Sequence, residues 1–525
     1  MIHQPRCSEP VLLLCLAGAV CLVLLTGCTP SPRLAPPAGP SSGWAIDLER
    51  FRASAHGHLD CATCHPDITP GDETTPHPDP ARLTQDARAL YDYARCAECH
   101  PDEYAAYEQG VHAEARARSE TGALPAPTCG HCHNAHYATI GTRAQVMQFV
   151  GQTCGKCHHE ALETYQHDYH GKAVILGREN SATCADCHGA HNVRALATPE
   201  EEYQACRRCH PQATLGLTGY YVHARETLQV APEDPRRQDF ALFFWVQLFF
   251  ILLTASVLTV FYAHTGLWFL RSLHERLRRP VSHAAKKAKE AGPQYWRFNI
   301  YHRLVHLLVM TSFFGTTISG MPLKYPTAGW AQWLTRLQGG VESMGIIHRV
   351  CAVVIALWCL MHLAYIAHYV FVQKRKPWGP DTPVPTLKDF KDIWQNFKYF
   401  IGKGSRPLFD RFAYFEKFDY WAVFWGVPVI GLSGLVLWFE DFFSRFLPGI
   451  VINIAHIMHS DEALLAVGFI YIVHLFNTHI RFEKFPLDKV IFTGKVSEEE
   501  LRHERPLEWE RIQADPKRAE EMRVR

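Results

Sequence analysis

One five-residue pattern, Cys-x-x-Cys-His, occurs six times in this chain: CATCH from Cys61, CAECH from Cys96, CGHCH from Cys129, CGKCH from Cys154, CADCH from Cys184 and CRRCH from Cys206. Two thiols three positions apart can add across the two vinyl groups of one haem, and the histidine that follows reaches the iron from one face. Cys61, Cys64, Cys96, Cys99, Cys129, Cys132, Cys154, Cys157, Cys184, Cys187, Cys206 and Cys209 are therefore expected to hold six c-type haems. His65, His100, His133, His158, His188 and His210 are expected on their irons. A zinc site or a disulfide framework would use the cysteines too, but needs no histidine directly after every second one.

Each iron takes a second axial ligand, and the repeat supplies candidates. His112, His170 and His223 lie sixteen or seventeen residues past the first cysteine of their motifs, and His136 and His191 lie three residues past the motif histidine. His56 and His58 precede the first motif, and one of them completes a set of six. His77, His131, His159 and His167 are held in reserve. Met147 is the one methionine between Cys61 and His223, so bis-histidine ligation is expected, which gives a lower potential than a His/Met pair. Some 170 residues around six porphyrins leave little for a conventional core, so short helices and loops built on the cofactors are predicted.

Past Asp239 the composition changes. Residues 240–263 form a run of 24 without a charge, long enough to cross a bilayer. Four further apolar runs begin at 304, 350, 420 and about 453, giving five spans. The connections 271–297 and 373–417 are rich in Lys and Arg, which puts them in the cytoplasm and the cysteine-rich half in the periplasm. Histidines inside spans mark function by default. His348 and His362 are fourteen apart, and His459 and His474 fifteen apart, so each pair is separated by about 21 to 23 Å along one helix face. Two levels of ligand imply two b-type haems between helices. His306 is a second candidate for the inner level. Asp461 and Glu462, just after His459, are candidates for accepting quinol protons near the outer haem, and His479 for the same task at the inner one. The alternative for Asp461 and Glu462 is an acidic start to an interfacial helix.

The stretch from Arg303 and His306 to SGMPL resembles the first core helix of the cytochrome b subunits of formate dehydrogenase and nickel-iron hydrogenase. That resemblance implies His306 with His474 and His348 with His459. The stretches HRVCAVVIALWCLMHL and HSDEALLAVGFIYIVHLFNTH are also similar to the haem-bearing helices of cytochrome b in the respiratory bc complex, which implies His362 in place of His306. His306 is preferred here. As a whole, the chain resembles the inner-membrane multihaem b/c fusions of metal-respiring bacteria, which implies menaquinol oxidation and export of electrons.

The expected class is mostly α. Residues 1–28 read as a signal peptide with a lipobox ending at Cys28, or as an uncleaved anchor. A Pro-rich linker at 29–48 leads to a hexahaem c domain at 49–235. A transmembrane helix at 236–272, a basic cytoplasmic loop at 273–297 and a four-helix dihaem cytochrome b domain at 298–480 follow. Residues 481–525 read as a charged, solvated cytoplasmic tail. Net charge is +1 and the pI about 7.6, which gives no reason to expect nucleic acid. The reading is a multi-pass protein of a bacterial inner membrane acting as a quinol:cytochrome c-type oxidoreductase. Its partners would be the quinone pool and a periplasmic cytochrome or other redox acceptor. The alternatives are a multihaem terminal reductase, and a membrane subunit passing electrons from a dehydrogenase or hydrogenase to quinone.

Overall fold

The computed structural model describes residues 46–65, 93–118, 126–139, 141–278, 292–482 and 484–524. The leader with Cys28, nearly all of the Pro-rich linker, His77 and the basic stretch 279–291 lie outside the described residues.

From Leu48 to Gly219 the chain forms short helices and 3-10 turns, from the four-residue Cys61–Cys64 to the twelve-residue Arg143–Cys154, and no strand occurs there among the described residues. Three Cys-x-x-Cys pairs lie within single helical turns, at Cys61–Cys64, Cys129–Cys132 and Cys184–His188, and the other three straddle the ends of longer helices or 3-10 turns. At Cys129–Cys132 and Cys184–His188 a threonine caps the turn, its backbone N–H bonded to a residue inside the motif: Thr128 to His131 Nδ1 at 3.1 Å and Thr183 to Asp186 Oδ2 at 2.8 Å. Few apolar side chains are buried in this half, chiefly Tyr107, Met147, Tyr165, Leu176 and Leu217.

Five helices are long and apolar enough to cross a membrane: Arg237–Arg278, Ile300–Lys324, Val341–Val372, Tyr414–Trp438 and Ile450–Ile480. They match the five apolar runs, and the chain is a multi-pass membrane protein. The first extends to Arg278, beyond the expected 272, because RSLHERLR keeps helical propensity after the apolar residues end. The second span packs on the third, the fourth on the fifth, and the first against the fifth. The fifth changes from α to π geometry over Phe469–Ile480. Asp461 and Glu462 therefore lie in the interior of a helix that starts at Ile450, and the interfacial-start alternative is corrected.

The cysteine-rich half sits on one end of the bundle. Ala173 and Leu176 pack with Val341 and Met344 of the third span, and Ala213 and Leu217 with Ile452 of the fifth. Asn453 joins both backbone groups of Tyr221, at 3.0 and 2.9 Å.

At the opposite end, residues 481–524 are not a solvated tail. Lys495–Ser497 pairs antiparallel with Gln294–Trp296, and three short helices follow. Tyr295, Val490, Val496, Leu501 and Ile512 form a core there. The charges that suggested solvation neutralise one another inside: Glu508, 1% exposed, lies 3.3 Å from Arg297 and 2.8 Å from Arg411, and Arg505 is 2.6 Å from Glu416.

Candidate haem-ligand pairs

The six motif histidines each face one further imidazole. Ring centres are 5.9 Å apart for His65 and His136, 6.1 Å for His100 and His56, 6.0 Å for His133 and His191, 6.3 Å for His158 and His112, 6.4 Å for His188 and His223, and 6.2 Å for His210 and His170. Imidazole nitrogens bind a metal at about 2 Å and each ring centre lies roughly 1 Å behind its nitrogen, so two rings on one iron stand about 6 Å apart. The residues fit a six-coordinate haem iron. Every distal candidate faces the histidine of a motif other than the one it follows. His58, His159 and His167 are exposed, and His131 caps its own helix against Thr128.

Ring orientation is fixed from behind. Nδ1 of His56 lies 2.9 Å from the Ala135 carbonyl, that of His188 2.9 Å from the Arg194 carbonyl, that of His223 2.9 Å from Thr164 Oγ1, and that of His170 2.8 Å from Asp168 Oδ1. Each contact holds Nδ1 and turns Nε2 toward the facing ring, as metal-binding imidazoles require. Burial and the adjacent imidazole push His112, His133 and His223 below the ordinary histidine value, so the neutral, lone-pair-bearing form dominates at pH 7. Burial acts the same way on His170, but Asp168 outweighs it and raises the value.

The motifs follow one another in space in their order along the chain. Cys64 neighbours Cys96 and Cys99, the Cys129 thiol is hydrogen-bonded to that of Cys96, Cys132 neighbours Cys154 and Cys157, the Cys154 thiol is hydrogen-bonded to that of Cys184, and Cys187 neighbours Cys206 and Cys209, all of them thiols rather than disulfides. The sixth motif is the one against the membrane bundle, where His210 Nδ1 lies 3.5 Å from Glu440, just past the fourth span.

Within the bundle two more pairs occur. His348 and His459 have ring centres 6.1 Å apart, and His306 and His474 6.4 Å apart. The outer pair is held with internal symmetry. His348 Nδ1 lies 3.2 Å from the Thr316 carbonyl and 3.1 Å from Ser319 Oγ, and His459 Nδ1 3.0 Å from the Ile430 carbonyl and 3.3 Å from Ser433 Oγ. The glycine after each serine makes room: a Cβ on Gly320 or Gly434 would stand 3.0 Å from the imidazole. In the inner pair His474 Nδ1 is 2.8 Å from Asp419 Oδ2. His362 is not brought to this pair. Its Nε2 lies 3.0 Å from the Tyr420 hydroxyl, and its ring packs on Trp358, Tyr365 and Phe424.

His479 is buried with ring centres 5.4 Å from His306 and 5.1 Å from His474. A cleft lined by Ile300, Arg303, Met310, Ile491 and Phe492 reaches His306 from the outer side of the second span. Asp461 is held by Lys324 Nζ at 2.5 Å. Glu462 is buried beside Gly426 and Trp425, and its Oε2 has no hydrogen-bond partner among the described residues. Asp168, Asp419, Ser319 and Ser433 were not apparent from spacing; the doubled Ser-Gly in SGMPL and SGLVL was the available signal for the last two.

No family model matches the chain. Over 218 residues, 41% of its length, it is 20% identical to the cytochrome b556(Fdn) subunit of the nitrate-inducible formate dehydrogenase of Escherichia coli (strain K12), 91% of which is covered. The same figures hold for the corresponding subunits of Escherichia coli O157:H7 and Shigella flexneri. Five apolar helices, two imidazole pairs between them and this likeness relate the chain to membrane cytochrome b subunits.

Proposed function

We propose that the protein is an inner-membrane electron-transfer protein that takes electrons from quinol, menaquinol being the favoured donor, and delivers them through two b-type and six c-type haems to a periplasmic acceptor. The observation that carries this reading is the set of eight imidazole pairs with ring centres 5.9 to 6.4 Å apart, six of which include the histidine of a Cys-x-x-Cys-His motif. Bound haem supplies reversible one-electron chemistry, and the protein supplies orientation and tuning. Paired imidazoles leave no open coordination position, which weighs against a terminal reductase.

In this reading His306 and His474 hold the haem on the side away from the cysteine-rich half, and His348 and His459 hold the one beneath it. The pair His170 and His210 is the junction: Tyr220 lies between Asp168, to which its hydroxyl is bonded, and His456, one turn before His459. From there the motifs lead outward in reverse chain order to His65 and His136. Glu462 and His479 are the candidates for receiving quinol protons, since Asp461 is engaged by Lys324. The Lys- and Arg-rich loops support a periplasmic position for the cysteine-rich half, and lipid attachment at Cys28 belongs to the same proposal.

The test is reduction of the purified protein by a menaquinol analogue, followed optically. Absorption of the b haems should respond and that of the c haems should follow. Reduction of the c haems by a periplasmic donor with no b-haem response would overturn the direction. The likeness to a formate dehydrogenase subunit favours one second reading, in which a dehydrogenase reduces this chain and the chain reduces quinone; stable co-purification with a catalytic subunit would select it.

A further inference from the structure

The helix Leu387–Phe400 is amphipathic in the inverted sense. Asp389, Asp392 and Asn396 are buried against the protein, while Leu387, Phe390, Trp394 and Phe397 are 83, 70, 60 and 41% exposed and follow one another at helical spacing. Internal partners fix this orientation. Lys417 Nζ binds Asp389 at 2.9 Å, Lys388 Nζ donates to the Leu408 carbonyl at 2.8 Å, and Asn396 donates to the Tyr414 hydroxyl at 2.7 Å. The apolar stripe cannot rotate inward without breaking the buried Lys417–Asp389 ion pair and the Asn396–Tyr414 hydrogen bond.

Depth along the first span identifies what covers the stripe. Phe400 packs on His264 and Trp268, and Tyr399 bonds Glu275 at 2.9 Å. Counted from Phe240, where the uncharged run begins, His264 lies about 36 Å and Glu275 about 52 Å along the helix, past a hydrocarbon core of about 30 Å. The C-terminal end of the amphipathic helix is thus anchored from the edge of the hydrocarbon core outward, at the end of the bundle away from the cysteine-rich half. It also crosses the fourth span steeply: Asp389 and Asn396 are about 10 Å apart along one axis, and their partners Lys417 and Tyr414 about 4.5 Å apart along the other. Its exposed side continues the lipid-facing surface of the spans, where Leu270, Trp421 and Trp425 are 61, 45 and 49% exposed. Lys391, Lys398 and Lys403 are exposed around it, with Lys398 Nζ 5.3 Å from the Trp394 ring centre.

We infer that Leu387–Phe400 lies in the plane of the membrane interface and that its exposed face is a binding surface for anionic phospholipid. The apolar residues enter the acyl boundary, and the lysines extend to the headgroups. A water-exposed stripe of this size would be an aggregation liability, whereas at this depth it is solvated by lipid. The inference stands independently of the redox reading.

The experiment uses full-length, haem-loaded protein in nanodiscs of equal phosphatidylglycerol and phosphatidylcholine, with Phe390→p-benzoylphenylalanine irradiated and its adducts analysed by mass spectrometry. Phospholipid adducts are expected, with phosphatidylglycerol over phosphatidylcholine by roughly fivefold or more. Lys391→Gln with Lys398→Gln should bring that ratio close to one while lipid adducts persist. Crosslinks to a second copy or to another polypeptide would overturn the inference. So would absence of lipid adducts at position 390 when the same group at Leu252, exposed on the first span, yields them. Equal adducts of both lipids in the otherwise unaltered protein would overturn its anionic component.

Discussion

His170 and His210 face each other with ring centres 6.2 Å apart, although His170 follows the fourth motif and His210 ends the sixth. The same crossing holds for all six pairs, so each haem would tie two segments of chain together as well as conduct. At this pair the consequence is functional, because the sixth motif is the one against the membrane bundle. Replacing His170 by Ala should convert one haem of six to the high-spin form and interrupt quinol-driven reduction of the c haems while leaving b-haem reduction intact. His167→Ala, three residues earlier and exposed, should leave the spectra wholly low-spin. Electron paramagnetic resonance with stopped-flow optical reduction distinguishes the two variants.

The inner pair discriminates between the two cytochrome b patterns that the sequence resembles. His306 stands opposite His474, and His362 bonds Tyr420 instead. His306→Ala should lower extractable protohaem from two per chain to one, and His362→Ala should leave it at two. Pyridine haemochrome assay after acid-acetone extraction reads the number directly. Loss of a protohaem in the His362 variant alone would assign the ligand the other way.

The spans were legible because an uninterrupted apolar run admits few alternatives, and the candidate ligands were legible because the repeat fixes their offsets. Which imidazole faces which was not legible, since an offset counts residues along one segment and the pairs form between segments. Asp419 and Asp168 carry no motif; only the approach of one helix or turn to another puts them behind His474 and His170. The segment 481–524 was misread for a related reason. A run of Glu, Arg and Lys looks solvated when each charge is considered alone, whereas Glu508 lies between Arg297 and Arg411, residues 211 and 97 positions away in the chain. The helix Leu387–Phe400 shows its periodicity in the sequence, but periodicity does not say which face turns outward.

Asp381 fastens the last two helices, accepting from Arg511 at 3.1 Å and from Arg518 at 2.7 Å. Burial raises its carboxyl, but the two guanidinium groups outweigh this and hold it at about 2, below the ordinary carboxylate range. A depressed carboxylate stabilises the fold fully above its unfolded value and loses that contribution as pH falls through the folded one. The window here runs from about pH 4 down to about 2. At pH 7, Asp381→Asn should therefore accelerate amide exchange across 506–522, and the difference from the unaltered protein should shrink as pH approaches 2. Exchange read peptide by peptide in detergent isolates this effect from events in the spans. The side chain is 40% exposed, so solvent screening keeps the effect local.

Asp419 is where the protein would tune the proposed inner haem without touching it. Its Oδ2 lies 2.8 Å from His474 Nδ1, and the residue stands near the start of the fourth span, across from the π-helical stretch that carries His474 and His479. A carboxylate behind a ligating imidazole raises the basicity of the far nitrogen and stabilises the oxidised metal. The outer ligands have carbonyls and serine hydroxyls in that position, which are weaker acceptors, so the protein differentiates two otherwise similar pairs. Asp419→Asn preserves volume and hydrogen-bonding capacity but removes the charge. It should retain two protohaems per chain, raise the midpoint potential of the inner haem and leave the outer one in place, whereas Ser433→Ala should shift only the outer haem, and by less. Redox titration in the b-haem absorption region resolves the two waves. An unmoved inner wave in Asp419→Asn would mean that the carboxylate serves only to position the ring.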